Sequence, residues 1–150
     1  MTAATTLTAI AFYLLGIRAQ LLSDNVDKFS YERASFFLIA IGLIAHGFAT
    51  YLILRGDEGV NISLFSVTNF GSYLVLLFIS LISLRLPVAN LLLIATPIAV
   101  VIMALATFLP KESAKQISIE SPLLFHIFAS VAAYVALFMA TVQSVLLGLQ

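Results

Sequence analysis

The chain has 150 residues, of which 62% are hydrophobic and 9% charged, where ordinary soluble domains run at roughly 45–50% and about 25%. That composition argues against a water-soluble globule. A net charge of zero without a basic cluster argues against nucleic acid as a partner, and the absence of Cys removes disulfides, Fe–S clusters and thiolate metal sites.

The seven basic and seven acidic residues leave five uncharged runs, 1–17, 34–54, 59–84, 86–110 and 121–150, so every charge sits in the other 31 residues. Crossing a hydrocarbon core of about 30 Å at about 1.5 Å per residue takes roughly 20 apolar residues. A helix is the single-segment way to satisfy the backbone there. The pattern predicts an all-α polytopic transmembrane bundle, one membrane domain with helices at about 2–22, 34–54, 60–84, 86–110 and 121–150.

In the first segment nothing charged except the α-amine precedes Arg18, so it reads as a retained helix rather than a cleaved signal. Asp24, Asn25 and Asp27 mark the first loop; Tyr31, Phe36 and Phe37 read as interfacial aromatics at the start of helix two. Gly56 and Gly59 mark the second loop, and 59–65 reads as a short interfacial stretch before the third crossing. Within it, Asn61-Ile62-Ser63 matches a glycosylation sequon at chance level. Ser66, Asn69, Tyr73, Ser80 and Ser83 recur along one face of helix three and read as polar interhelical packing.

Pro87 is expected to start helix four and Pro110 to close it, while Pro97 lies mid-span and cannot donate to the Leu93 carbonyl. Ser121-Pro122 reads as an N-cap followed by Pro at the first helical position. The last run continues to Gln150 without a basic stop, as in the front part of a longer protein. Lys and Arg follow helix one but do not precede it, which favours an external N-terminus.

With every acid and base in the linkers, His46 and His126 are the side chains within the spans that titrate near neutrality. Helix two ends and helix five begins on the same membrane face. Counted from it at about 1.5 Å per residue, His126 lies about 7 Å in and His46 about 12 Å in, so the two can approach one another or a shared ligand. Gly42 and Ala49 leave room beside the His46 ring. Packing through hydrogen bonds to neighbouring helices is the plain alternative for both.

Copper or zinc would want thiolate, thioether or carboxylate ligands in addition. Haem suits two neutral imidazoles better, as an apolar ring between helices with propionates reaching Arg55, Lys111 or Lys115. A proton-driven transporter normally carries intramembrane carboxylates, and these spans hold none. No nucleophile elbow, phosphate loop, HExxH or dinucleotide fingerprint is present, and no enzyme activity is expected of this chain.

The run around His46 (AHGFATYLILRG), then NISLFSVTNF from Asn61, RLPVANLLLIATPIAV from Arg85 and LLFHIFASVAAYVALFMATVQSVLLGLQ from Leu123 resemble the N-terminal half of the cytochrome c assembly superfamily. Within it the chain is most similar to YpjD/HemX-type inner-membrane proteins, relatives of the CcsA and CcmC haem-handling proteins. The resemblance implies a bacterial inner-membrane protein that binds haem b in support of cytochrome c biogenesis or haem regulation. It implies that His126 is similar to the external haem-ligating histidine and His46 to the intramembrane one, that the N-terminus is external, and that apocytochrome or other maturation proteins are partners. Pro87, Asn90 and Pro97 match the helix-four pattern of that group. The chain departs from the haem-presenting members in having no Trp, so haem attachment to apocytochrome is not implied for it. A solute or ion permease and a non-catalytic membrane assembly subunit are the competing expectations.

Overall fold

The computed structural model of the chain describes residues 1–23, 28–55, 59–85, 90–109, 115–118 and 121–148. In chain order it comprises α1 (Thr2–Ser23), α2 (Lys28–Leu54), β1 (Val60–Ile62), α3 (Leu64–Ser83), α4 (Asn90–Phe108), β2 (Lys115–Ile117) and α5 (Pro122–Gly148). All five helices are long and apolar enough to cross a membrane, so the chain is an all-α, multi-pass membrane protein.

The helix ends follow the local chemistry. Helix α2 begins at Lys28, ahead of the uncharged run, because a helix continues through charged residues once it has left the hydrocarbon. Its apolar span is Arg33–Leu54. Helix α3 starts later than the uncharged run allows. Residues 60–62 are extended instead, and Ser63 caps the helix with its Oγ accepting from the Ser66 N–H at 3.1 Å. Helix α5 opens at Pro122, as the Ser-Pro pair predicts, with the Leu124 N–H donating to the Ser121 carbonyl at 3.0 Å. Pro97 lies inside α4. The expectations for Asp24, Asn25, Asp27, Gly56, Pro87 and Pro110 fall outside the described residues.

Strands β1 and β2 form an antiparallel ribbon that pairs Val60 with Ile117, Asn61 with Gln116 and Ile62 with Lys115. Alternation over three residues is too short to announce a strand in the sequence, and the partner lies more than fifty residues away. Gly59 lets the ribbon close: a Cβ there would collide with the Ile117 carbonyl oxygen. The ribbon joins the ends of α2 and α4 to the starts of α3 and α5, and so marks one face of the bundle, termed here the ribbon face.

Helices α1 to α4 close a ring in which α1 packs on α2 and α4, and α3 on α2 and α4. Tyr13, Ile39, Leu76, Leu92 and Met103 fill its centre. Small residues set the close approaches: the missing side chain of Gly16 admits Ile39, and that of Gly42 admits the Tyr13 ring. The Ser35 hydroxyl donates to the Gly16 carbonyl at 2.8 Å, and Thr6 and Thr107 share a 2.9 Å hydroxyl contact between α1 and α4. Helix α5 stands outside the ring and leans on α3, with Phe70 and Phe128 edge to face at 5.0 Å. Between α4 and α5, backed by α3, lies an open apolar cleft of about 570 Å³.

Candidate functional site

One connected cluster of buried polar side chains lies where α1, α2 and α3 meet. His46 is fully buried. Its Nδ1 lies 3.1 Å from the Tyr13 hydroxyl on α1 and its Nε2 lies 3.2 Å from Asn69 Oδ1 on α3. The Asn69 Nδ2–H donates to Thr50 Oγ1 at 2.8 Å, and the amide oxygen faces the imidazole. An amide oxygen only accepts, so Nε2 carries the proton and donates. A neutral ring then leaves Nδ1 to accept from the Tyr13 O–H. Thr50 stands one turn beyond His46 on α2, so the chain of bonds runs from α1 through α2 and α3 and back to α2.

Two aromatic rings wall the imidazole. Tyr13 stands edge-on at 5.9 Å and 80°, and Tyr73 at 5.5 Å and 71°. Gly47 gives Tyr73 its place, since a Cβ there would sit 3.1 Å from that ring. The room expected beside His46 is therefore occupied, on the Gly42 side by Tyr13. Every member of the cluster is neutral, as suits a low-dielectric interior where a charge would need a partner.

His126 has opposite surroundings. It lies about one turn into α5, exposed, and makes no hydrogen bond among the described residues. Along the face running from it, Ser130 is half-buried and Ala133, Tyr134 and Thr141 are exposed, with Tyr134 at the edge of the cleft between α4 and α5. Both histidines lie toward the ribbon face, as their sequence positions require, but the structure does not bring them into contact. Arg55, exposed at the end of α2, and Lys115, on β2, belong to that same face.

Haem requires an imidazole free to meet the iron. The His126 ring fits that requirement, and Arg55 supplies a cation at the same face. The His46 ring fits it only by giving up a bond to Tyr13 or Asn69 and displacing a packed aromatic. Among the described residues no three His, Cys, Asp or Glu side chains gather as metal ligands.

Of the polar stripe on α3, Ser66 and Asn69 are buried and Tyr73 packs on His46, while Ser83 returns its hydroxyl to the Ile79 carbonyl at 2.7 Å. Interhelical packing describes Asn69 and Tyr73; Ser66 bonds to the N-cap Ser63, Ser83 bonds within its own helix, and the buried Ser80 hydroxyl has no partner among the described residues. Sequence reasoning missed Tyr13. The available signal was a tyrosine in mid-span, whose hydroxyl needs a partner in hydrocarbon. Compared with protein-family models, with curated proteins and with solved structures, the chain finds no match.

Proposed function

We propose that this chain is a membrane-embedded haem-handling module of the cytochrome c assembly kind, in which His126 offers its imidazole to the iron of haem b. The observation that carries the reading is the contrast between the two histidines. One ring is sealed in a satisfied network, and the other is exposed with its nitrogens uncommitted among the described residues. An unpartnered imidazole within a span is costly unless it serves a ligand. Haem, when bound, supplies an iron that takes a neutral imidazole nitrogen and an apolar ring that lies against lipid-facing side chains.

In this reading His46 is a positioning residue. It ties α1, α2 and α3 together behind the ribbon face, and Arg55 meets a propionate. The protein works in a bacterial inner membrane with the N-terminus outside, and apocytochrome or maturation proteins receive or deliver the haem. The test is the visible spectrum of the full-length protein purified from haem-replete cells. A Soret band that disappears in His126→Ala and persists in His46→Ala is expected. Absence of the band from the wild type, or its persistence in His126→Ala, contradicts the reading.

The second reading, a non-catalytic assembly subunit, is favoured by the complete internal satisfaction of His46, which is how a packing histidine behaves. An unaltered spectrum and unaltered partner association in a His46→Ala, His126→Ala double variant would select it.

A further inference from the structure

The cleft between α4 and α5 offers a binding site of a different kind. It runs along α3 from Val67 to Ile79, about 18 Å at 1.5 Å per residue. Its walls are Val75 of α3, Ile98 and Ile102 of α4 and Phe138 of α5, with their apolar neighbours. The hydroxyl protons in the α3 wall are spent on the helix itself: Thr68 donates to the Leu64 carbonyl and Ser72 to the Asn69 carbonyl, each at 2.8 Å. Tyr134, on the α5 wall, brings the one lining hydroxyl without a partner among the described residues. A polar solute would find almost nothing to bind.

Ile94, Ile98 and Phe138 of its lining are exposed, so in a membrane the cleft is open along its length to the acyl chains around it. At the end of the cleft away from the ribbon, Arg85 follows α3 and is exposed, with no ion pair among the described residues. A cation there lies at the level of lipid headgroups. We propose that the cleft is a specific site for an anionic phospholipid, an acyl chain lying between α4 and α5 and the phosphate meeting Arg85.

Full-length protein in vesicles of phosphatidylethanolamine with phosphatidylglycerol, the latter carrying a photoreactive diazirine in one acyl chain, tests this. Crosslinks are expected several-fold more often at Val75, Ile98 and Phe138 than at Ile44 and Phe48, which are apolar and exposed on α2. Excess unlabelled phosphatidylglycerol should displace the cleft label, and phosphatidylcholine should not. Ala95→Phe, which fills the cleft, should lower labelling there several-fold, and Arg85→Gln should remove the preference for the anionic lipid. Labelling spread evenly over the exposed helices, equal displacement by both lipids, or protein–protein crosslinks in the cleft would overturn the proposal. The displacement experiment uses the wild type, so it stands even where Ala95→Phe fails to fold.

Discussion

Tyr13 and His46 meet edge to face in the centre of the bundle, with the tyrosine hydroxyl 3.1 Å from the imidazole Nδ1. The contact joins α1 to α2 at a depth where no water competes, and the other ring nitrogen carries the linkage on to α3. Removing the hydroxyl strands a buried acceptor. Such groups cost about 1–3 kcal/mol in proteins generally, and interhelical bonds within membranes average about 0.6 kcal/mol. Tyr13→Phe is expected to lower stability by about 1 kcal/mol in reversible unfolding from mixed micelles. His46→Ala, which also opens a void and strands Asn69, should cost about 3 kcal/mol. In the double variant the two losses should not add, because the hydroxyl has nothing left to bond. Full additivity would show that the contact carries no energy.

The fit of Tyr13 depends on Gly42. A methyl group at that position would stand 2.7 Å from the ring's Cδ1 and 2.8 Å from its Cε1, and the ring cannot swing away without releasing His46. Gly42→Ala should therefore destabilise by more than Tyr13→Phe does. Gly71 is the control, since its Cβ would meet Val131 at an ordinary 3.7 Å. Gly71→Ala should stay within about 0.5 kcal/mol of the wild type. Thermal unfolding of both variants in one detergent makes the comparison.

The ribbon is testable through its register. The chain has no Cys, so an introduced pair reports without background. Asn61 and Gln116 are paired across the strands, where Cα atoms stand about 4.5–5.5 Å apart, within reach of a disulfide. Asn61→Cys with Gln116→Cys should crosslink readily under mild oxidation, seen as a mobility shift reversed by reductant. Asn61→Cys with Ile117→Cys, one residue out of register, should crosslink much more slowly. Equal rates would contradict the pairing.

The charge map made the five spans legible, because charges avoid hydrocarbon; they gather in the linkers and toward helix ends, with Arg18 near the end of α1 and Lys28, Glu32 and Arg33 at the start of α2. The depth of His46 and the shared face of Asn69 and Tyr73 were legible from helical spacing alone. The tyrosine that completes the site was not, since Tyr13 reaches His46 through a packing of α1 on α2 that spacing within either helix does not encode. The ribbon escaped for a related reason. Its strands are short, and each is specified by a partner far away in sequence, with Gly59 the local mark of the close approach. The outward face of α5 also lay beyond pattern reading: an apolar helix looks the same whether lipid or protein covers a given side.

The central claim is that His126 carries an iron-binding role and His46 a packing role, and imidazole rescue separates them most directly. In His126→Gly the exposed position leaves space for free imidazole to stand in for the lost ring. The Soret band of the full-length protein should be lost or shifted in this variant and return on adding imidazole, whereas His46→Gly should keep the wild-type band and lose stability. A band unchanged in His126→Gly, or one lost in His46→Gly and restored there by imidazole, would contradict it.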